Sequence, residues 1–577
     1  LNRRFHIVQS RPITTIHRAG IEGEWTTADL KDGGVSSGVC SPFMASLYAF
    51  AFDRSMGRYL KRVGLHPPLA PASWMSVFYG RPYWNVGAVK MGLRKLPGFV
   101  ERQFDEDLGV EVAYEGEGHV TRTNPKTVLS GLSVVARLKR AFREQRRSWK
   151  TFRQDQRQRL DELAAVDLEA MDRDTGVRFY RRFIDQEYLR SEGAYFVQVY
   201  NNSNIITLFN DRIRKYRDRI QFVDLVTGLE DVSHLALNHG LWDLSRKLLA
   251  DEDALAWWRE KTPAELVEAW AKGLTGYRMN EVSRLIETFD YHSTRELDLT
   301  VPRFGEDPTF VMESLLANMK LHETADPRST VEKQRQRYRD KSRVFLDSLS
   351  GFERRSMKRA LEDIRSFLWW REEYRDLSTR FYFHVRRFTL AMGRLLQDEG
   401  GLADRNDIFF LSLDDIYAAL EKTIPREEVS RRVERNRTYY RSFHDFFIPH
   451  EIGDRYQAST AGPAEASEKR LTGIPCSPGD VVGVVRNIKD VFDADRLEEG
   501  DILITRFTDP GWTPKFGLLK AVATETGGVL SHAAVISREY GIPAVLAVPG
   551  LTEKLKEGQK VRVDGNRGVV EVLDDAV

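Results

Sequence analysis

The feature that most limits what this chain can become is a change of periodicity along its length. From about Asp53 to about Tyr440 the apolar residues return at helical spacing and period-2 alternation is scarce, so this stretch is expected to be mostly α-helical. Val135, Leu138, Phe142, Trp149 and Phe152 fall on one stripe, and Arg137, Arg140, Arg143, Arg146 and Arg147 cover the remainder. A second long helix reads through Met357, Ala360, Leu361, Ile364 and Leu368 and continues toward Arg371-Glu-Glu-Tyr-Arg, with bundle core as its expected role. Between Tyr456 and Lys469 the residues become small and polar with no periodic apolar face, the composition of a linker. Beyond it, Val481 to Ile488, Asp501 to Arg506, Ala521 to Thr524, Ala544 to Val548, Lys560 to Asp564 and Gly568 to Leu573 read as short β-rich runs between Gly, Pro and Asp turns. The 577 residues exceed what one hydrophobic core can serve. The expected fold class is multidomain α+β: a large, mostly α-helical domain followed by a small β/α domain.

Composition narrows the function classes. Lys+Arg 87 against Asp+Glu 85 leaves a net charge of +2, which supplies no global field for nucleic acid or an anionic membrane, so any anion must be held locally. The arginines of the first long helix therefore read as a solvated face. Two cysteines, Cys40 and Cys476, exclude a disulfide framework and a Cys-rich zinc site and fit a reducing cytoplasm. The longest apolar stretch, Ser41 to Phe52, falls short of the roughly 20 residues a spanning helix needs. His234 and His239 lack the Glu of a His-Glu-x-x-His helix, and no metal site is expected. The chain starts at Leu1 with neither an initiator Met nor a signal-peptide core, as a fragment or a processed chain would.

The chemistry concentrates in Thr524-Glu-Thr-Gly-Gly-Val-Leu-Ser-His-Ala-Ala-Val-Ile-Ser-Arg-Glu-Tyr-Gly-Ile-Pro. A strand is expected to end at Thr524, Gly527 and Gly528 permit a tight turn, Ser531 stands where an N-cap belongs, and a helix runs from about His532 to Tyr540 with Gly541 closing it. His532 then sits in a first helical turn, where unpaired N–H groups favour an anion and disfavour a proton on the ring. A neutral imidazole there is a good phosphoryl acceptor, with Thr524, Gly527, Gly528 and Ser531 as candidates to cradle the phosphate.

This segment resembles the phosphohistidine loop of the mobile domain shared by phosphoenolpyruvate synthase, pyruvate phosphate dikinase and rifampin phosphotransferase. Gly473-Ile-Pro-Cys-Ser-Pro-Gly-Asp, Thr508-Asp-Pro-Gly-Trp-Thr-Pro and Val563-Asp-Gly-Asn-Arg-Gly resemble the same family in the same order. The resemblance implies that His532 is phosphorylated by nucleotide and dephosphorylated by an acceptor, on a domain that swivels between two sites. Near the start, Phe5-His-Ile-Val-Gln-Ser-Arg-Pro looks like the closing strand of the family's ATP-grasp domain, which maps its phosphate and metal contacts to Gln9 and Arg11. It follows from the resemblance that ATP and Mg2+ are the cofactors and that an ATP-grasp domain, in cis or as a separate subunit, is a partner, with most of that domain outside this chain. The implied division is 1–15 as the end of the ATP-grasp domain, 16–455 as a helical substrate domain, 456–470 as a flexible linker and 471–577 as the phosphohistidine domain.

The chain ends about 45 residues after His532, too few for the pyruvate-binding barrel of the first two enzymes, so the arrangement resembles rifampin phosphotransferase, with a small acceptor in the helical region. Phe289-Asp-Tyr-His-Ser-Thr-Arg-Glu-Leu-Asp gathers a His, hydroxyls, an Arg and carboxylates. His292 is a candidate general base toward an acceptor hydroxyl, with Arg295 or Arg303 to neutralise the phosphoryl group, while a structural ion-pair and capping cluster is an equal reading. Trp74, Phe78, Tyr79, Tyr83 and Trp84 suit either an aromatic acceptor pocket or plain core. The expected function is ATP-dependent dikinase-type transfer to a hydroxyl of a small aromatic or apolar acceptor. The alternatives are a subunit of a split enzyme resembling phenylphosphate synthase, a condensing ligase resembling the prodigiosin-forming enzyme, and a non-enzymatic phosphocarrier or partner-binding module.

Overall fold

A computed structural model describes residues 15–17, 20–30, 34–110, 112, 114–216, 218–229, 232–323, 326–443, 449–456, 458–460, 469–488, 491–508, 510–528 and 531–573. Gln9 and Arg11 lie outside these.

The helical region is built around one 48-residue helix, Gly351–Asp398, hereafter the central helix. It buries Met357, Leu361, Ile364, Phe367, Leu368, Tyr374, Phe381 and Val385, the three- and four-residue spacing that faces neighbours continuously. Those neighbours are Leu189–Ile213 and Pro125–Ala164. The latter starts at a reciprocal cap between Asn124 and Thr127 with Pro125 at its first position. Its buried stripe holds Val134, Leu138, Phe142 and Trp149, and Val134 replaces Val135 as the inward residue. Trp149 stacks on Trp370 at 5.4 Å between ring centroids. A second core, with Leu241, Trp258, Met279, Phe304, Phe310 and Leu315, forms among the shorter helices between Ala236 and Lys320.

One element of the helical region was not legible. Met75–Phe78, Arg81–Asn85, Glu24–Thr26 and Glu451–Gly453 pair antiparallel, in that order, into a four-stranded sheet. Phe78 and Tyr79 pack around Trp25, Tyr83 and Ile452 in a small aromatic core. Of the segment expected to link the domains, Ala458–Thr460 pairs antiparallel with Thr15–His17, and Arg470 already belongs to a strand of the last domain.

The last domain is an eight-stranded sheet in the order Arg470–Thr472, Val569–Val572, Lys560–Asp564, Asp480–Asn487, Asp501–Thr505, Leu519–Thr524, Ala544–Leu546, Ile474–Ser477. The four strands from Asp480–Asn487 to Ala544–Leu546 run parallel, and the outer ones antiparallel. Asp501–Thr505 is buried at every residue, as a parallel strand covered on both faces must be. Ile502, Ile504, Ala521 and Ala523 face one core; Leu503 and Val522 face the other, beneath Trp512, Phe516 and Ile536. The six β-rich runs read from the sequence all fall on strands; the two edge strands were missed. Among the described residues no helix is long and apolar enough to cross a membrane.

Candidate functional site

The site is organised where the loop after Leu519–Thr524 enters the helix His532–Tyr540. Gly527 takes φ +126°, a backbone region closed to side-chain-bearing residues, and lets the chain turn. Ser531 caps the helix by accepting from the Ala534 N–H at 3.4 Å, and Gly541 ends it at φ 65°. This strand, turn and helix match the sequence reading. The Thr524 hydroxyl is fully buried and donates to the Thr526 carbonyl, which closes the turn.

His532 is 8% exposed and held at both ring nitrogens. Thr508 Oγ1 lies 2.9 Å from Nδ1, and Thr513 Oγ1 lies 3.1 Å from Nε2. The Phe516 ring stands perpendicular to the imidazole, with ring centroids 6.1 Å apart. Both threonines come from the Thr508-Asp-Pro-Gly-Trp-Thr-Pro stretch, whose turn Pro510–Leu518 lies directly over the histidine. That stretch stands out in the sequence, but its hydroxyls become ring partners only once the fold brings the two segments together.

His532 lines a cavity of about 60 Å3 at the seam between the last domain and the helical region. Thr513, His532, Val535 and Ile536 form one wall; His292, Glu296, Arg371, Arg375, Phe304 and Phe310 are among those forming the other. His292 and His532 thus share one cavity. Gly527, Gly528 and Ser531 do not line it.

His292 is 2.8 Å through Nδ1 from Glu296 Oε1, which leaves Nε2 as the ring atom for an incoming proton. Glu296 also accepts from the Thr379 hydroxyl at 3.1 Å, and Arg375 stands 3.9 Å away. Burial by itself would raise the Glu296 carboxyl, but the hydrogen bond and positive charge of a protonated His292, the Arg375 charge and the Thr379 hydrogen bond outweigh it and hold the group at about 2.

The two arginines expected to face the phosphoryl group do not line this cavity. Arg303 is buried and donates to the Glu296 carbonyl at 2.9 Å and the Arg295 carbonyl at 3.4 Å, fastening the loop that carries Glu296. Arg295 lines a separate cavity with Cys40, Asp298 and Phe507. The cations at the His532 cavity are Arg371 and Arg375 of the central helix. A signal for them existed: Arg371, Glu372, Arg375, Asp376 and Thr379 form a polar stripe at helical spacing inside a mostly buried helix. Among the described residues no group of three or more His, Cys, Asp or Glu side chains is gathered to hold a metal ion.

The seam itself is close-packed. Asn238 donates to the Tyr540 hydroxyl at 2.6 Å, the helix His532–Tyr540 lies on Pro327–Asp347, and Gly511 sits against the Thr294 backbone.

Residues 497–568 match the family model described as PEP-utilising enzyme, mobile domain, and residues 194–372 match the one described as rifampicin phosphotransferase fourth domain. The last domain is thus similar to the mobile domain of PEP-utilising enzymes, and part of the helical region to the fourth domain of rifampicin phosphotransferase. The chain is 31% identical over 300 residues to rifampicin phosphotransferase of Streptomyces sviceus, covering 51% of this chain and 34% of the relative. It is 24% identical over 624 residues to the prodigiosin synthesizing transferase PigC of Serratia marcescens, covering 98% of this chain and 67% of the relative. It is 45% identical over 104 residues to phosphoenolpyruvate synthase of Aeropyrum pernix, covering 18% of this chain and 13% of the relative. The match therefore spans about a third of the length of the rifampicin phosphotransferases.

Proposed function

We propose that this chain is the acceptor and phosphohistidine part of an ATP-dependent, dikinase-type phosphotransferase, with His532 as the carrier and a hydroxyl of a small organic molecule as the acceptor. The observation that carries the reading is the shared cavity: the family's histidine and a carboxylate-backed His292 line one enclosure at the domain seam. Thr513 lines the cavity and contacts Nε2, so Nε2 is the atom assigned to carry the phosphoryl group.

In the transfer step the acceptor oxygen attacks phosphorus and the N–P bond breaks, with its electron pair returning to the His532 nitrogen. The hydroxyl proton passes to Nε2 of His292, whose Nδ1 is held by Glu296. Arg371 and Arg375 offset the charge on the transferring group, the stabilisation that phosphoryl transfer mostly requires. Phe304, Phe310, Val535 and Ile536 supply the apolar part of the lining against which an acceptor's apolar body would pack. ATP and Mg2+ belong to the nucleotide domain in this proposal.

The test is intact-mass analysis of the chain after incubation with a matching ATP-grasp domain, Mg2+ and ATP labelled at the β position, beside His532→Ala. Acid-labile label on wild type alone is expected; no label with a demonstrably active partner would end the proposal.

The alignment to PigC across 98% of this chain supports a second outcome, in which phosphorylation activates a molecule for condensation with another. Product mass separates the two: a phosphate ester in one case, a joined molecule and free phosphate in the other.

A further inference from the structure

Glu539 sits near the end of the helix that begins with His532, and it is 4% exposed. The helix face that bears it is covered by the helical region, so the carboxyl lies in the seam between the two parts. Its Oε2 atom is buried without a hydrogen-bond partner. The charges acting on it come from every side: Arg335 of Pro327–Asp347, Arg365 and Glu372 of the central helix, and Arg538 on its own helix. Arg538 is in turn committed to the Cys476 carbonyl on the neighbouring strand. An ionised carboxylate with an unsatisfied oxygen beside another carboxylate is costly in such a place, whereas the neutral acid is tolerated. The seam carries no such cost when the domain moves away and Glu539 meets water.

We infer that Glu539 makes the seating of the histidine domain proton-linked: its carboxylate takes a proton from solvent as the domain docks, and loss of that proton loosens the seat. This makes Glu539 a positioning residue for His532, since both lie on one nine-residue helix and one cannot leave the seam without the other. The inference rests on the swivelling reading given above. The direction agrees with the electrostatics: burial raises the Glu539 carboxyl to about 7, with Glu372 adding to the rise and Arg538, Arg365 and Arg335 opposing it. A group whose affinity for protons is higher when docked favours docking in acid, and that advantage disappears as pH rises from about 4.5 to about 7.

The experiment is a distance measurement between spin labels on the full chain at Lys341→Cys and Lys556→Cys, both exposed positions, the native Cys40 and Cys476 being buried. Raising the pH from 5.5 to 8 should lower the ratio of docked to undocked molecules on the order of ten-fold. In Glu539→Gln that ratio should not move with pH. Glu372→Gln, which removes the like charge, should shift the wild-type midpoint to lower pH. An unchanged ratio across pH in wild type, or an identical response in Glu539→Gln, would overturn the inference. Labelling of His532 by ATP, read by mass, would be untouched by that result, so the two readings fail separately.

Discussion

Gly511, in the mobile domain, lies so close to Thr294, in the helical region, that a β-carbon on Gly511 would come within 2.4 Å of the Thr294 carbonyl oxygen. The obstacle is backbone, which cannot swing aside as a side-chain end can. Gly511→Ala is therefore expected to leave each domain folded while holding them apart. A displacement of about 1 Å costs on the order of 100-fold in a transfer reaction. Phosphorylation of His532 should continue and discharge to the acceptor should slow by about that factor in single-turnover measurements. Equal loss in both half-reactions would show that Gly511 serves the fold of the mobile domain instead.

The two threonines on the His532 ring should separate in their effects. Thr508 contacts Nδ1 and fixes which way the ring faces, so Thr508→Val should slow both charging and discharge, by about ten-fold, through loss of one buried hydrogen bond. Thr513 contacts the nitrogen assigned to carry the phosphoryl group and lines the cavity, so Thr513→Val should act mainly on discharge. Rapid-quench assays of the two half-reactions test this, and identical profiles for the two variants would refute the assignment of Nε2.

The sequence made the histidine helix legible almost to the residue, because capping serine, paired glycines and terminal glycine are local signals that tertiary structure rarely overrides. The six inner and near-inner strands of the last domain were legible for a similar reason: each is a short apolar run between turns. The edge strands Arg470–Thr472 and Ile474–Ser477 were not, since an edge strand needs one apolar face at most, and Pro475 argues against a strand by composition. On the acceptor side His292 was legible as a candidate, but its partner among the cations was not. Arg303 and Arg295 are near in sequence, whereas Arg371 and Arg375 arrive from the central helix, and only packing decides which guanidinium meets the cavity. Arg303 shows the physical reason: its two terminal nitrogens are turned to the Arg295 and Glu296 carbonyls of the loop it supports.

His384 on the central helix provides a stability test independent of function. Burial, with the nearby Arg387 charge adding to it, pushes the imidazole down to about 3, and its Nδ1 has no hydrogen-bond partner. The unfolded chain binds the proton from about 6.5 downward, so the contribution is present in full above that pH and is lost as pH falls from about 6.5 to 3. The size expected is a few kcal/mol. His384→Phe, against the ring of Phe388, should reduce the acid sensitivity seen in wild type when urea midpoints are compared at pH 7 and pH 5. Parallel pH curves for the two proteins would mean that His384 takes up its proton alike in folded and unfolded chains over this range.

The His292–Glu296 pair yields the sharpest functional expectation. Glu296 is held at about 2, so it is a carboxylate throughout the neutral range and fixes the His292 ring through Nδ1, which leaves Nε2 as the nitrogen to take a proton. Its contribution to the folded site is complete above about pH 4.5 and is lost only as pH falls toward 2. No titration of Glu296 should therefore appear in the rate of the acceptor step between pH 5 and 9. His292→Asn should slow that step by about 10²- to 10⁴-fold, the usual worth of a general base, while leaving the charging of His532 intact. Glu296→Gln keeps a hydrogen-bonding group at nearly the same volume but removes the charge, so its loss should be smaller than that of His292→Asn and confined to the same half-reaction. If Glu296→Gln proved as harmful as His292→Asn and also impaired charging, the pair would be a structural brace for the Tyr291–Phe304 loop, and the base would have to be sought among the other groups lining the cavity.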